Sequence, residues 1–251
     1  MNNTVYRHQQ LLSIIELKGM LPVKTLSQML GVSEMTIRRD LKALREWKLS
    51  SVADSDSQTS SSGYDLLKEL GKRNDQKNKI GQLAASMLEP NDVFVIDTGS
   101  TTACILPHIS YEEPLTSLSF NSNVLDELRK HKNIDILFCG GYYHRQTEMF
   151  ECSESLAFIE KTRFNKVFLS AAGIHKNLGV TCMNGYEVAT KQAIIRASQE
   201  RILLVDSSKF DKVCSSFFCN LSDITTIITD NDCPQKWQKQ IRAQGINLHV
   251  V

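Results

Sequence analysis

Apolar and polar positions follow two different periods along the chain, and the change of period divides it. Over the first fifty residues apolar side chains recur three and four apart, the spacing of helices with one buried face. Leu11, Leu12, Ile14 and Ile15 mark a first helix, ended by Gly19. Leu26, Met29 and Leu30 mark a second, with Pro22 at its start and Gly31 at its end. Ile37, Leu41 and Leu44 fall at i, i+4 and i+7 of a third. Ser33 can cap that helix by accepting a backbone N–H with its side-chain oxygen. From Val93 onward, short apolar runs alternate with helical stretches. VFVID, LTSLSF, IDILFCG, KVFLSAAG, RILLVD, TTIITD and INLHVV read as strands. The stretch from Thr101, then NVLDELRKH, Glu154–Lys161, Tyr186–Gln199 and PQKWQKQIRAQG, read as helices. This alternation predicts an α/β domain built on a mainly parallel sheet covered on both faces.

Chemistry first enters at the third helix. Opposite its apolar stripe stand Met35, Arg38, Arg39 and Lys42, and Thr36 lies in the first turn behind Ser33. Helix, glycine-containing turn and basic helix, in that order, form a helix-turn-helix, whose last helix enters the major groove of DNA. Arginines there reach phosphates or the O6/N7 edge of guanine. A merely solvated basic face is the alternative, and the three-helix order weighs against it.

Charge sharpens the division. The chain carries a formal net charge of only +1, yet residues 1–50 hold eight Lys and Arg against Glu16, Glu34, Asp40 and Glu46. Positive charge is therefore concentrated where the motif lies, as a local DNA-binding patch requires. The segment SSVADSDSQTSSSG that follows has seven serines and no basic residue, and it suits a flexible connection. Boundaries follow: a helix-turn-helix over 1–49, a serine-rich linker or degenerate wing over 50–64, and the α/β domain over 65–251. No apolar run is long enough for a membrane span, and the N-terminus lacks the apolar core of a signal peptide. The seven cysteines form no CxxC pair and read as free thiols of a reducing cytoplasm. No metal site and no cofactor is implied.

In open α/β sheets, ligands sit beyond the carboxyl ends of the strands. The first core strand ends in Asp97-Thr98-Gly99-Ser100-Thr101-Thr102, a carboxylate and a glycine followed by three hydroxyls at the start of a helix. That suits a phosphate, and it suits an ordinary capped strand-to-helix turn equally well. Asn121, Gly140-Gly141, Gly173 and Asp206-Ser207-Ser208-Lys209 follow other strands. Lys209 is a candidate cation or a plain surface lysine. Glu187 and Lys191 stand four apart on one helix, a spacing that by itself favours a solvated pair. No Walker loop, HExxH or nucleophilic triad occurs, and His8, His108 and His249 carry no motif.

Taken together, GVSEMTIRRDL, IDTGSTT, FCGG, SAAGI, EVATK and LLVDSSKF resemble the DeoR family of bacterial transcriptional repressors along nearly the whole chain. The resemblance implies a winged helix-turn-helix joined to a sugar-phosphate sensor similar in fold to ribose-5-phosphate isomerase. It implies a homo-oligomer that leaves double-stranded operator DNA when a phosphorylated sugar, deoxyribose 5-phosphate by expectation, binds the larger domain. Carried over by residue, Asp97, Gly99, Ser100, Thr101 and Thr102 form the phosphate-and-sugar loop. Asn121, Gly140, Gly141, Gly173, Glu187, Lys191, Asp206 and Lys209 line the rest. The chain departs from the family where a basic wing is usual, because its serine-rich stretch carries two aspartates there. A sugar-phosphate isomerase or deaminase with an appended DNA-binding domain is the competing reading. Glu187 or Asp206 would then be the candidate base, and the basic helix would have no role.

Overall fold

The computed structural model describes residue 11, residues 22–41, residue 66, residues 73–110 and residues 112–251. The chain divides into two compact units, Met1–Ser62 and Gly63–Val251. Lys42, Leu44 and the expected linker or wing at 50–64 lie outside the described residues, as does the expected first helix apart from Leu11.

In the first unit, α1 (Val23–Leu30) follows Pro22, whose extended backbone leads into the helix. It stops at Gly31, which adopts the left-handed conformation (φ 63°) that glycine takes without a Cβ penalty. After the turn comes α2, described over residues 34–41. Ser33 caps it as the sequence predicts: its Oγ accepts the Thr36 N–H at 3.2 Å. Leu11, Leu26 and Ile37 are fully buried together, with Val23, Leu30, Val32 and Leu41 packed around them. The helix-turn-helix is thus held by one apolar side chain from each of three segments.

The second unit is an α/β domain. Its strands are β1 (Val93–Ile96), β2 (Leu115–Ser119), β3 (Ile134–Phe138), β4 (Tyr142–His144), β5 (Met149–Glu151), β6 (Phe164–Ser170), β7 (Gly173–His175), β8 (Gly179–Cys182), β9 (Ser198–Leu204), β10 (Ser216–Cys219), β11 (Thr226–Thr229) and β12 (Asn247–Val250). Its helices are α3 (Asn74–Ala85), α4 (Ser122–Leu128), α5 (Ser153–Lys161), α6 (Glu187–Ala197) and α7 (Gln235–Ala243). Seven strands form one sheet in the order β12-β11-β9-β6-β1-β2-β3. Every pairing in it is parallel.

Alternate residues of these strands feed two cores. Phe94, Ile96, Phe168, Ile202, Leu204 and Ile228 face α3, α4 and the helical turn Thr102–His108. Val95, Val167, Leu169, Leu203 and Ile227 face α5, α6 and α7. Both faces are therefore covered, as parallel sheets require. Strand order reverses between β1 and β6, and this reversal fixes where a ligand crevice opens.

Three features differ from the sequence reading. The stretch after Thr101 is a 3-10 helix, Thr102–His108, with Pro107 inside it, rather than an α-helix. Proline removes an N–H and limits the run to tight turns. The residues after the FCGG glycines form a separate antiparallel hairpin, β4–β5, and residues 173–219 contribute a second antiparallel sheet, β10-β8-β7. Short strands with polar, aromatic and cysteine content leave too few alternations to read. Among the described residues no helix is long and apolar enough to cross a membrane.

Helix α3 lies close on the 3-10 helix because Gly81 lacks a side chain: a Cβ there would overlap the Cys104 carbonyl. Gly81→Ala should force the two elements apart and destabilise the domain by about 1–3 kcal/mol, the usual cost of overpacking, measured by urea unfolding.

Candidate effector cleft and nucleic-acid helix

At the carboxyl end of β1, where strand order reverses, Asp97 is almost wholly buried. Its Oδ2 accepts the Ser170 N–H at 3.1 Å, from the end of the adjacent strand β6. The same oxygen is bonded by Lys191 Nζ from α6. One turn earlier on α6, Glu187 Oε2 lies 3.5 Å from Lys191 Nζ, and Asn184 Nδ2 donates to Glu187 Oε1 at 2.8 Å. Lys191 is 1% exposed and Glu187 5% exposed, so the pair is buried and not the solvated pair that spacing alone favours. Asp97 Oδ1 is buried too and has no hydrogen-bond partner among the described residues.

Ser170, Glu187 and Lys191 from this cluster line a cleft of about 380 Å³, its open mouth included, and Asp97 is buried beside it. Thr98, Ser100 and Thr101 line one wall, Ser170 to Ala172 another, and Cys182, Met183, Glu187, Lys191 and Lys209 the rest. Several of the other expected residues brace this lining. Gly99 brings the β1 loop against Ser170, whose side chain a Cβ would strike. Thr102 Oγ1 donates to the Asp97 carbonyl at 2.7 Å and closes the loop. Asn121 Oδ1 accepts from Thr98 Oγ1, and its amide reaches the Ile96 carbonyl. Asp206 Oδ1 accepts the Ser208 N–H at 3.0 Å and so caps the 3-10 turn Ser207–Lys209 that presents Lys209.

Gly140, Gly141 and Gly173 stand outside the lining. Gly141 (φ 135°) begins the β4–β5 hairpin, where a side chain would meet the Glu151 carbonyl. Gly173 opens β7 against the Lys212 carbonyl. Sequence reading missed Lys77, which is buried and donates to Ser100 Oγ at 2.9 Å. The readable signal was its place on the α3 stripe with Ile80, Gly81 and Ala84, all buried.

Burial pushes the Glu187 carboxyl above its ordinary range, against the opposing pull of Lys191. Burial likewise pushes the neighbouring Cys182 thiol up to about 12, so it stays protonated and unreactive. Lys191 remains charged, since Asp97 and Glu187 outweigh its desolvation. Among the described residues no group of three or more His, Cys, Asp or Glu is placed to hold a metal ion.

On α2 the structure places Met35, Arg38 and Arg39 on the exposed face, away from buried Ile37. Met35 is 79% exposed, and the Arg38 side chain, 68% exposed, lies 3.9 Å from Glu34. Thr36 is half-buried and shares a hydrogen bond with Ser33.

A raised native pKa for Glu187 has a definite sign. Its contribution to stability is complete below the ordinary value of 4.5 and is lost as pH climbs through the higher native value. Glu187→Gln should therefore gain on the wild type as pH rises from about 4.5 toward neutrality, read from urea unfolding at a series of pH values. A difference that stays flat with pH would contradict the assignment.

Comparison with known proteins matches residues 7–49 to the DeoR-like helix-turn-helix domain and residues 72–231 to the DeoR C terminal sensor domain. The deoxyribose operon repressor of Escherichia coli (strain K12) is 30% identical over 242 residues, covering 95% of each chain. The uncharacterized HTH-type transcriptional regulator FruR of Bacillus subtilis (strain 168) is 31% identical over 230 residues, covering 90% of this chain and 91% of its own. Among solved structures, ribose 5-phosphate isomerase A from Methanocaldococcus jannaschii aligns over 55% of each chain, with 14% identity and a TM-score of 0.40. With a helix-turn-helix in front and a sensor domain spanning most of the remainder, this chain belongs to the DeoR family of transcriptional regulators.

Proposed function

We propose that this protein is a repressor that grips operator DNA through α2 and releases it when a phosphorylated sugar fills the cleft of the α/β domain. The observation that carries the reading is a cleft at the strand ends lined by Ser100, Thr101, Glu187, Lys191 and Lys209, with Asp97 buried beside it and its Oδ1 without a partner among the described residues. A buried carboxylate oxygen without a donor is unfavourable by about 1–3 kcal/mol or more, and a ligand hydroxyl supplies the missing donor. The neighbouring groups suit the other end of such a ligand. Ser100, Thr101 and Lys209 offer hydroxyls and a cation to a phosphate, while Glu187 in the lining, with Asp97 beside it, offers acceptors to sugar hydroxyls.

Deoxyribose 5-phosphate is the effector we favour, supported by the name of the deoxyribose operon repressor at 30% identity. Regulation without turnover fits the same chemistry. Asp97 is held by Lys191 and Ser170, and Glu187 by Asn184 and Lys191. Both Glu187 oxygens are thereby engaged and Asp206 caps the Ser207–Lys209 turn, which speaks against either candidate base standing ready to take a proton. Two or more copies would set their α2 helices in successive major grooves, so the operator should contain repeated half-sites about 34 Å apart.

Arg38→Ala combined with Arg39→Ala should weaken operator binding at least tenfold, since each lost contact is worth about 1–3 kcal/mol. Sugar-phosphate binding, followed by thermal shift, should be unchanged in that variant. Normal repression by it in a reporter strain would remove α2 from the groove. In contrast, Asp97→Asn and Lys209→Ala should still repress and no longer respond to deoxyribose 5-phosphate. Unchanged induction in both would remove the effector from this cleft.

A further inference from the structure

We infer that Arg73 and Lys77 fasten α3 to the two loops that hold the effector, and that this double attachment carries the binding signal toward the helix-turn-helix unit. The inference rests on the cleft being the effector site. Lys77 Nζ donates to Ser100 Oγ at 2.9 Å, and Ser100 lines the cleft. Arg73, one turn earlier, donates from Nη1 to Ser207 Oγ at 2.5 Å. The same nitrogen faces Asp206 Oδ1 at 3.8 Å and Asp230 Oδ2 at 3.9 Å. Ser207 opens the 3-10 turn that ends at Lys209, which also lines the cleft. One rigid helix is therefore tied at i to the β9 loop and at i+4 to the β1 loop.

Two further observations point to Arg73. It sits at the N-terminal end of α3 in a left-handed conformation (φ 52°) without being glycine. That conformation is unfavourable for a residue with a Cβ and persists where surrounding contacts over-determine it. Earlier in the chain, Leu66 is buried and its N–H bonds the Gln146 carbonyl in the β4–β5 turn at 2.9 Å. That hairpin is itself bridged to Asn121 at the carboxyl end of β2. Leu66, ahead of α3, is thus tied to the hairpin that stands beside the strand ends.

A phosphate seated between Ser100 and Lys209 redirects the hydrogen bonds of both loops. It can move α3 only through a difference in affinity for the two arrangements, and Arg73 is where that difference reaches the incoming chain. Arg73 is a positioning residue. Its side chain is 40% exposed, and without it Asp206 and Asp230 keep the backbone N–H groups of Ser208, Ser207 and Asp232. Loss of the guanidinium should therefore spare the fold.

The test uses the full chain as wild type, Arg73→Ala, Arg73→Lys and Ser207→Ala. The probes are deoxyribose 5-phosphate, ribose 5-phosphate, glucosamine 6-phosphate and a DNA fragment selected from a random pool by the wild type. In the wild type, the active sugar phosphate should lower DNA affinity by about tenfold or more, within the usual range of coupling. Arg73→Ala should bind the sugar phosphate and the DNA each within about threefold of wild type, while the drop on adding sugar shrinks below about twofold. Ser207→Ala should shift in the same direction, and Arg73→Lys should recover part of the response. Full wild-type release in Arg73→Ala with sugar binding intact overturns the inference, and so does loss of sugar or DNA binding in that variant. A wild type that neither binds nor responds to any of the sugars fails at the effector reading, and the coupling falls with it.

Discussion

Burial of Lys191 against Asp97 and Glu187 is the constraint on which the larger domain turns. Removing three ionised groups from water is expensive, and such clusters rarely stabilise a fold better than apolar packing would. This one survives because its members come from separate elements and define one place. Asp97 ends β1, Ser170 ends β6, and Glu187 and Lys191 lie one turn apart on α6. Asp97 therefore joins the strands on either side of the reversal through the Ser170 N–H, and joins them to the helix that covers them through Lys191. The cluster costs stability and fixes a polar floor with one carboxylate oxygen still open.

The two units divide chemistry as they divide charge. Among the described residues of the helix-turn-helix, Leu11, Leu26 and Ile37 are fully buried together. Its exposed face is left to Met35, Arg38 and Arg39. The larger unit has a core on each side of its sheet and can carry the desolvated ionic floor. The polar lining of its cleft is carried by short loops at strand ends.

How much of this is written locally in the chain depends on the element. The parallel strands were legible because β6 and β9 each carry a short apolar run, residues 167–169 and 202–204, which the sheet buries on both faces. The Ser33 cap and the Gly31 turn were legible because each depends on only a few neighbouring residues. The burial of Glu187 and Lys191 was not, since i+4 spacing is the same on a wet face and a dry one. Only the arrival of Asp97, 94 residues earlier, decides between them. Lys77 was hidden for a similar reason: it sits in a run of Lys, Asn and Asp, and its burial is set by the distant Ser100 loop. The β4–β5 hairpin and the β10-β8-β7 sheet were missed because three- and four-residue strands carry too little periodicity.

The parallel ladder also limits what a ligand can move. Seven strands held by backbone hydrogen bonds on a packed double core do not shift for a small molecule. What remains free to respond are the loops that leave the strands, and the groups tied to them. The cleft draws on the loops after β1 and β9, which stand on opposite sides of β6. A ligand bridging them acts across that strand, and α3 is attached to both through Lys77 and Arg73. Because α3 is a rigid helix, a relative displacement of the two loops must appear as a tilt of its first turn. That first turn, which Arg73 opens, is where the attachments to the two loops meet.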